Sequence, residues 1–114
     1  LVSVNAWRAD EQRAMVDAGA LALSLDRGAP DGNGVYAFGM AADMNGAPLT
    51  GRPRIRQVNQ EHGFLMGLRD RPDIGQRLRI LPNHACSTAA QYEIYHVIDG
   101  DGQIVDRWQR IGGW

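Results

Sequence analysis

Lysine is missing: all twelve basic residues of this 114-residue chain are arginines. A Schiff base to a side-chain amine therefore cannot form within it. Cysteine occurs once, at Cys86. That excludes an internal disulfide, suits a reducing cytoplasm and leaves one thiol for metal or nucleophilic chemistry. No apolar run approaches the roughly 20 residues of a membrane span, and no basic-then-apolar leader opens the chain. A cytoplasmic protein without a membrane partner is expected. The net charge is −1 and the 22% of charged residues are scattered, so the basic stripe that a phosphate backbone requires is absent and nucleic acid is not an expected partner. Neither a GxGxxG nor a P-loop arrangement occurs, and no nucleotide site is indicated. The chain opens at Leu1 rather than at methionine, which suggests a processed product or a piece of something longer.

At 44% hydrophobic content the chain fits a single domain, residues 1–114, able to bury roughly two-thirds of its unfolded surface. Helical periodicity is scarce. Short apolar runs alternate with polar residues and are broken by glycine, asparagine and aspartate, the pattern of strands joined by turns. Strands are expected at 1–7, 14–17, 35–40, 54–59, 63–68, 76–81, 95–99 and 104–108. In the sixth, Leu78 and Ile80 would face inward and Arg77 and Arg79 water. Residues 26–34 (DRGAPDGNG) and 45–53 read as surface loops. Residues 87–92 read as one short helical turn, with Ser87 and Thr88 as caps. Gly100-Asp101-Gly102 closes a hairpin. About eight strands and at most one short helix predict an all-β fold, a closed or nearly closed barrel or a sandwich.

The segment Pro82-Asn83-His84-Ala85-Cys86 follows a strand. In extended backbone, residues two apart share a face, so His84 and Cys86 could meet one ion. Imidazole and thiolate favour zinc over magnesium or calcium, and two protein ligands would leave an open, catalytic type of site. From spacing alone, a core cysteine beside a hydrogen-bonded histidine remains an alternative. Glu61 and His62 form a second candidate, a carboxylate beside an imidazole. Strand neighbours point to opposite faces, which favours a structural or supporting role. His96 lies mid-strand as a sheet residue, Asp17 can anchor a turn, and Trp7, Trp108 and Trp114 supply core or interface area.

Taken together, Val16-Asp17-Ala18-Gly19, Glu61-His62-Gly63, the segment 82–86 with Thr88, and Gly112-Gly113-Trp114 resemble, in order, the C-terminal domain of the D-serine dehydratase and D-threonine aldolase family. The resemblance covers essentially the whole chain. It implies a β-barrel domain joined to an alanine-racemase-like α/β barrel, absent from this chain, that carries pyridoxal phosphate and its Schiff-base lysine. It implies further that His84 and Cys86 hold a catalytic metal, zinc or alternatively manganese, with Glu61, His62 and Thr88 as supporting candidates and no catalytic residue in this chain. The implied activity is that of a lyase on D-3-hydroxy amino acids, working as a homodimer. Dehydration of D-serine or 3-hydroxyaspartate to a 2-oxo acid and ammonia is favoured by Cys86, because aldolase-like members can carry a carboxylate there. The alternatives are a D-threonine aldolase, which yields glycine and an aldehyde, and a non-catalytic β-barrel module.

Overall fold

The computed structural model describes residues 1–112. Its elements are, in order, β1 (Val2–Arg8), β2 (Arg13–Val16), α1 (Ala20–Leu23), β3 (Gly39–Ala42), β4 (Arg54–Val58), β5 (Gly63–Met66), β6 (Arg77–Pro82), α2 (Ala85–Ala89), β7 (Ile94–Ile98) and β8 (Ile104–Gln109). The mainly β, barrel-type class is borne out, and the described residues form eight strands. Six of them close a barrel in the order β1-β2-β5-β4-β3-β6, with every neighbouring pair antiparallel. β7 and β8 form a separate two-stranded sheet. No helix among the described residues is long and apolar enough to cross a membrane.

The period of two sets the barrel interior. In β5, Gly63 and Leu65 are buried while Phe64 and Met66 are half-buried outside, where the Arg13 guanidinium stacks 4.6 Å above the Phe64 ring. Val4, Val16, Ile55, Leu65 and Leu78 fill the interior beside the small residues Ala14, Ala18 and Ala41. Each of the larger side chains contributes about 1.5–3 kcal/mol by leaving water. Strand registers shift between Val4 and Ala6 and between Ile55 and Gln57, bulges that help a small sheet curl shut. Asp17 Oδ1 accepts the Ser3 amide at 2.6 Å, tying β1 to the end of β2.

Several sequence expectations need correction. The described residues form two short helices rather than at most one. The additional one, α1, exists because the turn between β4 and β5 receives its first amides: Ala20 N–H donates to the Asn59 carbonyl at 2.8 Å and Leu21 N–H to the Gln60 carbonyl at 3.0 Å. Gly19 permits that approach, since a Cβ there would sit 2.5 Å from the Asn59 oxygen. The third strand starts at Gly39, not at residue 35. Ala37 and Phe38 instead cover the barrel as buried loop residues, with the Phe38 amide donating to the Ile55 carbonyl and its carbonyl accepting the Asn83 amide. Arg79 does not simply face water. It is half-buried and its Nε is enclosed without a partner, beside a cleft of about 600 Å³ lined by Arg77, His96, Ile98 and Ile104. Trp7 packs on the core, whereas Trp108 is 59% exposed. Gly113 and Trp114, part of the terminal motif, lie outside the described residues.

Candidate metal site at the end of β6

Strand β6 ends at Pro82, whose lack of an N–H suits a strand terminus. Asn83 then anchors the turn. Its amide donates to Phe38, and its side-chain Nδ2 donates to the carbonyls of Arg27 at 2.8 Å and Ala29 at 3.1 Å. His84 keeps an extended backbone (φ −122°, ψ 96°) and caps α2, accepting the Thr88 amide on its carbonyl at 3.2 Å. Cys86 therefore lies inside α2 rather than in the extended segment expected for it. Its position is exposed, and that of His84 is half-buried. Neither is sealed in an apolar core.

The loop after α1 arrives at the same place. Thr88 Oγ1 donates to the Leu23 carbonyl at 3.1 Å and the Tyr92 hydroxyl to the Ala22 carbonyl at 3.0 Å, so α2 is strapped to the end of α1. Partial burial pushes the Tyr92 phenol up. Beyond α1, Ser24 Oγ accepts the Asp26 amide at 3.1 Å and Asp26 Oδ1 accepts the Gly28 amide at 2.8 Å. These two bonds aim the carboxylate across the gap, where Oδ2 meets His84 Nδ1. Ser87 Oγ lies 3.3 Å from both partners. The Gly28 amide, then the hydrogen bond from His84, hold the Asp26 carboxyl below its ordinary range against the opposing effect of desolvation.

Asp26 and Ser87 are the neighbours of His84 that sequence reasoning missed. Asp26 stands 58 positions from His84, inside a stretch whose composition speaks only of turns. Of the supporting candidates, Thr88 is occupied by Leu23. Glu61 and His62 sit in the β4–β5 turn, their amides both donating to Asn59 Oδ1, and are not brought into the His84 cluster. His96 belongs to the separate hairpin, opposite Arg107. Among the described residues no three His, Cys, Asp or Glu side chains gather into a metal cage. His84 presents an imidazole and Cys86 an exposed thiol, two positions apart across the start of α2.

A family model described as "Putative serine dehydratase domain" matches residues 2–98. The chain belongs to that serine dehydratase family. It is 38% identical over its full length to the D-threo-3-hydroxyaspartate dehydratase of Delftia sp. (strain HT23), of which it covers 32%. Over 88% of its length it is 35% identical to the D-serine dehydratase of Dictyostelium discoideum, covering 26% of that protein. The chain therefore spans about a third or less of these curated relatives. The solved Delftia enzyme matches 99% of this chain over 31% of its own, with a TM-score of 0.80 and 35% identity. A D-threonine aldolase from Filomicrobium marinum matches 95% of the chain over 26% of its own, with a TM-score of 0.67 and 27% identity. Solved structures of D-threo-3-hydroxyaspartate dehydratase also include a histidine-to-alanine variant and a cysteine-to-alanine variant in the metal-free form, the two replaced residues standing two positions apart.

Proposed function

We propose that this chain is the small β-domain of a longer, homodimeric pyridoxal-phosphate lyase that dehydrates D-3-hydroxy amino acids to a 2-oxo acid and ammonia, with His84 and Cys86 holding its metal. One observation carries this reading. A histidine and a cysteine stand two positions apart and accessible where β6 gives way to α2, and in a D-threo-3-hydroxyaspartate dehydratase a histidine and a cysteine at the same spacing were each replaced by alanine, the cysteine variant having been solved in a metal-free form. The likeness to the Delftia D-threo-3-hydroxyaspartate dehydratase over the whole of this chain, and to a D-serine dehydratase over 88% of it, supports D-serine or 3-hydroxyaspartate as substrate.

When bound, zinc would supply Lewis-acid help to departure of the Cβ hydroxyl, and pyridoxal phosphate an electron sink for the α-carbanion. The chain's own part is to present the donors. His84, with Nδ1 engaged by Asp26, offers Nε2, and Cys86 offers Sγ from the first turn of α2. Two ligands leave positions for water and a substrate oxygen. With no lysine here, the Schiff base belongs to the rest of the protein.

The likeness to the Filomicrobium aldolase favours a second reading, retro-aldol cleavage to glycine and an aldehyde. Incubating the full-length protein separately with D-serine, D-threo-3-hydroxyaspartate and D-threonine decides between them. Dehydration releases ammonia and a 2-oxo acid; the aldolase releases an aldehyde. His84→Ala should lose metal and lower turnover by at least about a hundredfold, as removal of a Lewis acid does. A His84→Ala protein with full metal content and turnover would overturn the metal role of His84, whereas a metal-free, inactive parent protein that His84→Ala only destabilised would make a non-catalytic module the better description.

A further inference from the structure

Within the reading of His84 as a metal ligand, we propose that Asp26 is its positioning residue, the carboxylate that fixes the imidazole so that Nδ1 carries the proton and Nε2 donates to the metal. The loop from 24 to 29 is built for this more elaborately than a surface connection requires. Ser24, a buried non-glycine residue, holds a positive φ of 68°, a conformation that costs energy and persists only where its surroundings impose it. It reaches forward to the Asp26 amide. The two carboxylate oxygens then divide their tasks: Oδ1 is fixed by the Gly28 amide, and Oδ2 is left for His84.

The other side of the contact is equally constrained. Asn83, immediately before His84, grips the Arg27 and Ala29 carbonyls on the far side of Asp26. Gly28 takes a positive φ of 63° and passes so close that a Cβ would lie 3.1 Å from the Asn83 oxygen. With Thr88 Oγ1 donating to the Leu23 carbonyl on the opposite side, the loop is bound on both flanks of the Asp26–His84 pair. A neutral imidazole bears one N–H. With that proton on Nδ1, facing a carboxylate, the lone pair of Nε2 is the one free to ligate, and the carboxylate makes it a stronger donor. Ser87 Oγ, 3.3 Å from each partner, adds a lateral contact without replacing the carboxylate.

The test uses the full-length protein, with zinc affinity measured by chelator competition and the metal-free His84 ring followed by nitrogen NMR. Asp26→Ala should weaken zinc binding about 10–100-fold, the range typical for loss of such a partner, and should move the ring proton from Nδ1 towards Nε2. Asp26→Asn, whose amide oxygen still accepts from Nδ1, should fall between wild type and Asp26→Ala. It serves as the test if the alanine variant does not fold. Wild-type zinc affinity in Asp26→Ala, or an unchanged ring tautomer, would overturn the positioning role while a metal-deficient His84→Ala left the metal reading standing. Wild-type zinc affinity in His84→Ala would overturn both.

Discussion

Asp31 shares a loop with Asp26, yet its carboxylate serves the chain itself. Oδ1 accepts the amides of Asn33 and Val35, each at 2.9 Å, and Oδ2 lies 3.2 Å from an Arg54 nitrogen. The Val35 and Asn33 amides, followed by the charges of Arg54 and Arg56, hold its carboxyl below the ordinary range. A depressed folded-state value means that the ionised form stabilises the fold fully above the unfolded value of about 3.9, and that this contribution fades as pH falls through the folded value. Asp31→Asn should therefore be less stable than wild type near neutrality, with the gap closing in acid; denaturant unfolding across pH measures it. A gap independent of pH would assign the contribution to hydrogen-bond geometry rather than to charge. Of the chemistry-bearing residues, types and spacing single out His84 and Cys86 in the sequence, and the resemblance to the family, not the spacing, gives them a metal to hold. Asp26 and Asp31 look alike in the sequence. Only the fold gives one a histidine, by bringing α1 to α2, and the other an arginine from β4.

Three turns repeat one device, an aspartate followed three positions later by a glycine of positive φ. Asp31, Asp43 and Asp99 each accept on Oδ1 the amides two and four positions ahead, with Gly34, Gly46 and Gly102 completing the bend. The glycines in this fold are not interchangeable. A Cβ on Gly102 meets nothing within 4 Å, so Gly102→Ala should cost only left-handed backbone strain, about 1–2 kcal/mol, and only in the hairpin. A Cβ on Gly63 would sit 2.5 Å from the Ala18 carbonyl oxygen and 3.0 Å from Ile55. Overpacking against backbone costs about 1–3 kcal/mol or more, and this site lies in the barrel wall. Thermal unfolding should rank Gly63→Ala well below Gly102→Ala, and the reverse order would refute this account of barrel closure. Strands were largely legible because alternation marks a half-buried pleat. The helices were less so: α1 is too short to show a period. The second forms at Ala85–Ala89 rather than 87–92, because His84 caps it and Thr88 turns its hydroxyl to Leu23. Residues 35–38 carried a strand-like pattern, but Ala37 and Phe38 cover the barrel as loop residues while Tyr36 stays exposed.

Alternation also hid a division in the whole molecule. The pattern in β7 and β8 reads like that of the barrel strands, because a period of two says which face is apolar and not which strand is the neighbour. The barrel has closed without them. In β8 every residue is exposed, including Val105 and Trp108, and the Trp108 indole donates to Asp106 two residues away rather than to the barrel. The hairpin is tied back near its base, where Arg110 Nη1 donates to the Ala90 carbonyl and the Tyr95 hydroxyl to the Ala89 carbonyl, each at 3.4 Å. A two-stranded sheet of this kind is marginal in water, whereas amides of a closed barrel open only with the core. Hydrogen exchange on this chain should therefore show the amides of β7 and β8 exchanging well before those of β2, β4 and β5, and acrylamide should quench Trp108 more strongly than Trp7. Equal protection across all eight strands would mean that the hairpin and the barrel open as one cooperative unit, and that the exposed apolar residues of β8 cost the fold nothing.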